Sequence, residues 1–318
     1  MNQPSQQCIR NWSEYNRSLV ARGRVTIWIE EGVTSAWYNE SSSGKRGASN
    51  LYSGAAILCV LSIQAIYHQT LRGAQGMVES LFSVMGITLA VPDYSTLSRR
   101  RRGLEVPLLA QQRTDGHLHV VVDSTGFKVY GEGEWKVRKH GWCKHRTWRK
   151  LHVVVDESSG EILSAVGTGN NVADKEALPE LLDAVEVPLE QVSGDGGYDK
   201  ATCYQAISDR GARAVIPPQH NARLWRHDPR WEQRNENILR IRELATEYED
   251  EEEGRKRWKE ETNYHRRSLV ETTMMRLKTI FGERLSPRIT DAQDMELLLR
   301  CRILNKMTLL GMPEYSGI

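Results

Sequence analysis

Helical hydrophobic patterns dominate the chain between residues 51 and 102. Residues 51–68 are mostly apolar and predict a buried helix, and residues 75–85 carry a second helical pattern. Pro92 breaks the preceding element, and Asp93 is a candidate N-cap for a third helix that ends in four consecutive arginines. The pattern therefore predicts a small all-helical unit with a basic end. The first fifty residues are polar and predict a loosely packed arm or early loop.

Beyond residue 116 the pattern becomes that of strands alternating with helices. The stretches HLHVVVD (117–123) and LHVVVD (151–156) are rich in β-branched residues and predict buried strands, and 162–168 predicts the hairpin partner of the second strand. Further elements then alternate along the chain: strands at 190–193 and 214–216, and helices at 175–185 and 200–210. This order predicts an α/β fold class with a mixed sheet flanked by helices.

A densely charged segment at 219–261 interrupts this alternation. It predicts a mostly helical, solvated insertion, and its acidic run at 249–253 is expected not to contact DNA because like charges repel. A long helix is predicted after it at 263–281, and a last helix at 291–307.

Composition narrows the class of protein. The 318 residues indicate about two domains, and 43 Lys and Arg against 41 Asp and Glu give a net charge of +2, which excludes a simple polycationic coat for nucleic acid. The five cysteines are far apart and form no CxxC pair, which argues against a zinc finger or a disulfide framework. No apolar stretch reaches the ~20 residues that a bilayer span needs. We therefore expect a cytoplasmic protein without a membrane segment.

The predicted helix at 263–281 has one polar stripe. At about 100° per residue, four side chains fall within an arc of ~60°: Tyr264, Arg267, Glu271 and Lys278. Leu269, Val270, Leu277 and Ile280 form the opposite, apolar face. The stripe combines an acid, an aromatic ring and two cations, which suits chemistry on phosphates. The alternative is a solvated face in which Arg267 pairs with Glu271 one turn away.

Two aspartates at strand ends are candidate metal ligands. Asp123 ends the first valine run, and Asp195 lies between glycines after a short strand. Together with a helix carboxylate they would form the oxygen-rich cluster that Mg²⁺ prefers, and two such ions can assist displacement at a phosphodiester. Asp195-Gly196 also has the pattern of a plain turn. Asp156 follows three valines as well, and although it fits a hairpin turn better, local pattern leaves the choice open.

Basic residues are concentrated in two places. The segment 128–150 interleaves Lys136, Lys144 and Arg149 with tryptophans, which suits binding to phosphates and bases. Arg99 and Arg100 belong to the arginine run that ends the third helix. The alternatives are an exposed basic loop with its tryptophans folded inward, and a solubilising helix end.

The spacing of the polar stripe carries a family resemblance. Tyr264, Arg267, Glu271 and Lys278 spell Y-x2-R-x3-E-x6-K, which resembles the signature of DDE transposases of bacterial insertion sequences in the insertion-sequence-four/five superfamily. Asp123 in VVVDSTGFKVYGEGEW and Asp195 in SGDGGYD resemble the first and second catalytic aspartate motifs. The stretches PDYSTLSRR, YHRRSLVETTMMRLKTIFG and LNKMTLLGMP resemble the insertion-sequence-five group. The resemblance covers about 50–313.

The resemblance implies an RNase H-like catalytic core with Asp123 on its first strand, Asp195 on its fourth strand and Glu271 on a late helix. It favours Asp123 over Asp156. The implied regions are an N-terminal helical region that binds DNA ends at 1–110, the core at 111–218, the insertion at 219–261 and the C-terminal helices of the core at 262–318.

The resemblance also implies the chemistry and the partners. The three carboxylates hold two Mg²⁺ ions, with Mn²⁺ as a substitute, and serve hydrolysis and transesterification of DNA. Arg267 and Lys278 bind phosphates, and Tyr264 contacts the same nucleotides. The partners are double-stranded DNA, both terminal inverted repeats and target DNA, and a second or further copy of the chain. We expect the protein to associate with the bacterial nucleoid when it binds DNA.

Two other functions remain open at this point. One is an RNase H-like nuclease that cuts DNA without joining it, which the absence of a strand-transfer product would reveal. The other is an inactive or domesticated copy that binds DNA as a regulator, although three intact carboxylates argue against it.

Overall fold

A computed structural model describes residues 8–30, 32–40, 50–110, 118–129, 148–226 and 228–315. Contacts divide the chain into two compact units. The first comprises Met1–Pro107 with Arg302–Ile318, and the second comprises Leu108–Cys301. The division falls within the last helix, Thr290–Leu309.

The first unit is helical. Its N-terminal elements are α1 (Trp12–Arg22), α2 (Val25–Trp28), α3 (Gly54–Ile66), α4 (Leu71–Val84) and α5 (Tyr94–Arg100). The side chains of Ser53, Thr70 and Asp93 accept hydrogen bonds from the first-turn amides of α3, α4 and α5, which fixes where these helices begin. No single helix in the described part of the chain is long and apolar enough to cross a bilayer; α3 and α4 pass that test only as a pair, and the pair is bent by 109°.

The prediction of a loosely packed N-terminal arm is wrong for residues 8–30 and 32–40. Two helices form there, and Trp28 and Trp37 are 3% and 0% exposed. The Trp37 indole donates a hydrogen bond to the carbonyl of Ala90 at 2.8 Å. The sequence did not predict this packing, because the segment has no periodic apolar stripe. A few large side chains among polar residues, Trp28 and Trp37, are buried instead.

The second unit is built on a six-stranded sheet. Its strands are β1 (Leu118–Val129), β2 (Trp148–Asp156), β3 (Ile162–Gly169), β4 (Leu189–Ser193), β5 (Arg213–Val215) and β6 (Arg284–Leu285). The order is β3-β2-β1-β4-β5, and β6 pairs with β1. β2 is antiparallel to both β1 and β3, whereas β4 runs parallel to both β1 and β5. The structure therefore confirms the α/β fold with a mixed, RNase H-like sheet.

Helices cover the central strand on both faces. Val120 and Val122 of β1 pack in a core with α6 (Asp174–Asp183) and α7 (Ala201–Asp209). Val121, which alternates to the other face, is also fully buried. A strand buried on both faces carries a continuous apolar run, which explains the three consecutive valines before Asp123.

The charged segment folds as two packed helices, α8 (Glu232–Glu247) and α9 (Glu251–Glu261), after a short 3-10 turn at Pro229–Trp231. Trp258 of α9 is 1% exposed and packs with Ile241 and Leu244 of α8 and with Val215 of β5. The insertion is therefore helical, as predicted, and it is anchored on the edge of the sheet. The chain then continues through α10 (Ser268–Phe281) to α11 (Thr290–Leu309).

We predict that Leu277→Ala, on the buried face of α10, lowers the free energy of unfolding by about 2–5 kcal/mol. The Leu277 side chain is fully buried, so its loss removes apolar contacts and leaves a cavity. Urea denaturation followed by circular dichroism measures the change. Met275→Ala on the same helix is the control, because Met275 is 61% exposed and its loss should change stability by less than about 0.5 kcal/mol. Equal effects at the two positions would contradict the assigned orientation of α10.

Candidate active site

Strand pairing places Asp123 and Asp195 side by side. β1 and β4 are adjacent and parallel, and Val121 pairs with Ser193. Asp123 follows Val121 by two residues and is still within β1, and Asp195 follows Ser193 by two residues and comes just after β4. The backbone amide of Ser124 donates to Oδ1 of Asp123 at 2.8 Å, and the Asp123 side chain is 22% exposed.

The turn interpretation of Asp195 is confirmed. Asp195 caps a 3-10 turn at Gly196–Tyr198, and its Oδ1 accepts a hydrogen bond from the amide of Gly197 at 2.8 Å. A Cβ at Gly194 would lie 3.0 Å from the Tyr198 ring and 3.1 Å from Val122, so a side chain at this position would require these neighbours to shift. The turn holds the Asp195 carboxylate just beyond the C-terminal end of β4.

The third carboxylate, Glu271, lies in the first turn of α10, where the helix dipole favours a negative charge. Arg267 connects it to the first aspartate. The Arg267 guanidinium forms an ion pair with Glu271 and another with Oδ2 of Asp123 at 3.4 Å. Its carbon also lies 5.9 Å from the centre of the Tyr264 ring. The pair between Arg267 and Glu271 expected from the sequence therefore exists, but the same arginine also reaches Asp123 in the sheet.

The prediction of one α-helix over 263–281 is wrong at its start. Tyr264–Arg267 form a 3-10 turn, and α10 begins at Ser268. Asn263 has a left-handed backbone with a φ of 54°, which separates this turn from α9. The ideal 3.6-residue geometry consequently does not apply to Tyr264 and Arg267.

The apolar face of α10 also differs from the prediction at two positions. Val270 and Leu277 are buried as expected. Leu269 is 37% exposed, and Ile280 is half-buried. Both residues lie at the margin of the packed stripe, because Val270, Thr273, Met274 and Leu277 already fill the face that meets the core.

Electrostatics link the three carboxylates. Burial raises the pKa of Asp123, and the charges of Asp195 and Glu271 raise it further, whereas the Ser124 amide and Arg267 oppose the shift. Burial opposes the charge on Arg267, but Tyr264 and the three carboxylates together raise its pKa. Asp123 and Arg267 therefore each lie within the field of the other and within the field of Asp195 and Glu271.

A cleft of about 530 Å³ opens beside these groups. Asp123, Glu271 and Lys278 line it, together with Ser124, Thr125, Met274, Met275, Thr279 and Glu283. The Lys278 ammonium lies 5.9 Å from the centre of the Phe127 ring. Asp123 thus shares one surface with two residues of the sequence signature, Glu271 and Lys278. Asp195, Tyr264 and Arg267 are not among the lining residues of the cleft.

The other predicted DNA contacts are placed elsewhere. Arg149 pairs with Asp294 and donates to the carbonyl of Gly167 at 3.2 Å, with its side chain 11% exposed. This internal pairing gives no support to its predicted role on DNA. In the first unit, Arg100 donates to the carbonyl of Tyr52 at 2.6 Å, whereas Arg99 is exposed. Lys136 and Lys144 lie outside the described residues.

Asp156, the rival of Asp123, belongs to the hairpin between β2 and β3. It is 2% exposed and accepts hydrogen bonds from the amide of Ser158 at 2.9 Å and the hydroxyl of Ser159 at 2.7 Å. The hairpin-turn interpretation is therefore confirmed, and this carboxylate is used inside the fold.

Sequence reasoning missed a polar network that begins at Ser124, the residue after Asp123. The Ser124 hydroxyl donates to Asp174 at 2.9 Å, and the Lys150 ammonium lies 3.3 Å from the same carboxylate. His152 is fully buried, shares a hydrogen bond of 2.8 Å with Thr168, and has a pKa that burial lowers. Lys150 and His152 are two residues apart on β2 and therefore lie on the same face, which the sequence could have indicated. The contribution of Asp174 could not be predicted, because its sequence context is that of an ordinary helix start.

The donor chemistry of the carboxylates fits a divalent metal ion. Asp123 and Glu271 supply only oxygen donors, which hard cations prefer, and they already accommodate a guanidinium cation between them. Within the described ranges, no three histidine, cysteine or acidic side chains form a closed ligand group. The fit therefore rests on donor type and on the cation held there, not on a completed coordination shell.

Comparison with known proteins identifies the family. Two family models, each described as a transposase DDE domain, match residues 20–132 and 114–306. The second match spans more than half of the chain. The chain belongs to the DDE transposases. Among solved structures it is similar to a piggyBac transposase synaptic complex with hairpin DNA, at 9% identity and a TM-score of 0.41, over 96% of this chain and 77% of that one. Within the DDE transposases, membership of the insertion-sequence-five group stays a prediction.

We predict that Asp123→Asn raises the thermal unfolding temperature of this DDE transposase in the presence of EDTA at neutral pH. An acid whose pKa is raised by folding destabilises the folded state above that pKa, and the cost disappears below the unfolded value. Asparagine removes the charge and still accepts the Ser124 hydrogen bond. Differential scanning calorimetry measures the shift, with the exposed Glu236→Gln as control. A lower unfolding temperature for Asp123→Asn would show that its ion pair with Arg267 outweighs its burial.

Proposed function

We propose that the protein cleaves the ends of an insertion sequence and joins the freed 3′-OH ends to target DNA. Asp123, Asp195 and Glu271 are the proposed catalytic and metal-binding carboxylates, with two Mg²⁺ ions per site and Mn²⁺ as a substitute. The observation that carries the proposal is that Arg267 pairs with both Asp123 and Glu271, while the parallel pairing of β1 with β4 brings the turn that carries Asp195 next to the strand that carries Asp123.

The division of labour follows from the position of each side chain. Bound divalent ions supply activation of water and neutralisation of charge at the scissile phosphate. Asp123 and Glu271 present oxygen donors at the cleft, and the turn at Gly196–Tyr198 orients Asp195. The little covalent work in phosphoryl transfer leaves positioning as the main task of the protein.

Cations beside the carboxylates favour a polyanionic substrate. Lys278 lines the cleft with Asp123 and Glu271, and we assign it to a phosphate next to the scissile bond. Arg267 lies between the carboxylates and the half-buried Tyr264 ring. We assign Arg267 to the same strand of DNA, and Tyr264 to contact with a nearby nucleotide.

The remaining partners are part of the same proposal. The helical first unit, with the exposed Arg99 at the end of α5, is the candidate for recognition of terminal inverted repeats. Pairing of two element ends requires at least two copies of the chain on DNA. The proposed place of action is the bacterial nucleoid in the cytoplasm.

We predict that Glu271→Gln abolishes nicking of a duplex carrying the inverted repeat in Mg²⁺ but preserves binding to that duplex. The change removes a negative oxygen donor while it keeps the shape of the side chain. A gel assay for nicked and joined products, run beside a binding titration, measures both properties. Glu283→Gln is the matched control, because Glu283 lines the same cleft but pairs with Lys128 and lies outside the signature.

The outcomes of this assay separate the candidate functions. Nicked and joined products from the unmodified protein and from Glu283→Gln, but not from Glu271→Gln, support the transposase. Nicking without joining supports the nuclease. Tight, metal-independent binding without nicking by any of the three proteins supports the regulator.

We predict that Lys278→Ala weakens binding to repeat and unrelated duplexes by a similar factor. A lysine that contacts a phosphate releases counterions on binding, so its loss should reduce the slope of log K against log salt by about 1. Fluorescence anisotropy at several salt concentrations measures that slope. Lys278→Arg keeps the charge and should keep the slope. A slope that is unchanged in Lys278→Ala would remove this residue from the phosphate contacts.

A further inference from the structure

A buried ion pair connects the insertion to the turn that carries Asp195. Arg234 of α8 donates from Nε to Oδ1 of Asp199 at 2.6 Å and from Nη2 to Oδ2 at 3.2 Å. The two side chains are 5% and 3% exposed. This is a two-point, charge-assisted contact in a place that water hardly reaches, so it fixes orientation as well as distance.

Asp199 closes the far end of the turn. The 3-10 turn at Gly196–Tyr198 begins at Asp195 and ends at Asp199, whose amide donates to the carbonyl of Gly196 at 3.3 Å. On the near side, the amide of Gly194 donates to the carbonyl of Val215 in β5 at 3.2 Å. Asp195 is therefore held between an anchor on the sheet and an anchor on the insertion.

The arginine is itself held rigidly. Its guanidinium carbon lies 3.8 Å from the centre of the Trp225 ring, and Nη1 donates to the carbonyl of Arg223 at 2.9 Å. The amide of Gln219 donates to the second oxygen of Asp199 at 3.3 Å. The loop at the start of the insertion, α8 and the Asp195 turn thus meet at one pair of charges.

Stability alone gives a weak reason for such a pair. Two apolar side chains of similar volume often serve a buried place equally well, whereas they cannot reproduce the directional contacts of a planar guanidinium fork. Neither residue lines the catalytic cleft. What the pair supplies beyond burial is a fixed orientation of the residue four positions after Asp195.

We propose that Asp199 and Arg234 are positioning residues, through which the insertion holds Asp195 in the orientation that metal binding requires. The proposal rests on the proposed function, since it takes Asp195 as a metal-binding carboxylate. It gives the insertion a role in the active site that does not depend on contact between its acidic surface and DNA.

The test compares the full chain with the double variant Asp199→Leu/Arg234→Met, which replaces the pair by apolar side chains. Three quantities are measured: the thermal unfolding temperature, the affinity for Mn²⁺ without DNA by electron paramagnetic resonance, and amide hydrogen exchange of residues 194–199. We expect an unfolding temperature close to that of the unmodified protein, at least tenfold weaker Mn²⁺ binding and faster exchange in the turn. Nicking of repeat DNA should fall with the Mn²⁺ affinity.

Two single variants keep the test decisive. Arg234→Lys retains the charge but loses the fork, and we expect it to fold and to show an intermediate loss of Mn²⁺ affinity even if the double variant does not fold. Arg240→Met removes a different contact of α8, the exposed pair with Glu261 of α9 at 2.6 Å. It should leave Mn²⁺ binding, exchange in the turn and nicking unchanged.

Each unfavourable result has a distinct meaning. Unchanged Mn²⁺ affinity and unchanged exchange in a folded double variant or in Arg234→Lys would overturn the positioning role. Equal losses in Arg240→Met would also overturn it, because the effect would then come from the insertion in general. An unmodified protein that binds no Mn²⁺ and nicks no DNA, while the turn still loosens in the variants, would instead overturn the proposed function.

Discussion

The partial burial of one carboxylate, Asp123, near two further acidic side chains is the constraint around which the second unit is organised. Asp123 is partly buried, and both its burial and the charges of Asp195 and Glu271 raise its pKa. A fold that maximised stability would not gather such groups, so their convergence is typical of a functional site. In the described structure the counter-charge is Arg267, which pairs with Asp123 and Glu271.

The scaffold supplies the rigidity that this arrangement needs. β1 is buried on both faces, which fixes Asp123 with little freedom along or across the strand. Asp195 depends on a short turn instead, and a turn at the end of a strand has less packing of its own. Its hydrogen bonds to neighbouring segments therefore matter more, and Asp199 provides a buried one. The three carboxylates thus rest on three supports of different kinds: a strand, a turn and a helix.

The sequence predicted those parts of the fold that follow from local periodicity. The valine runs marked β1 and β2, and the alternation of patterns gave the mixed sheet. What escaped prediction depends on contacts between distant residues. Trp37 is buried against residues far from it in sequence, among them Phe82 and Ala90, which no local pattern indicates. The 3-10 turn before α10 follows Asn263, whose backbone is left-handed. Arg149 looked like a DNA ligand because nothing near it in sequence indicates Asp294.

The acidic run of the insertion can be explained by its position at the start of a helix. Glu251, Glu252 and Glu253 occupy the first turn of α9, where the helix dipole favours acidic side chains. Glu253 also pairs with Lys256 and Arg257 one turn later. The acidic run therefore has a local explanation in helix formation.

The exposed ion pairs on the surface of the insertion contribute little to stability because solvent screens them. Among the ion pairs of the insertion that the structure describes, the buried one joins Arg234 to Asp199, on the side of the Asp195 turn. The insertion is therefore better understood from its buried face than from its charged surface.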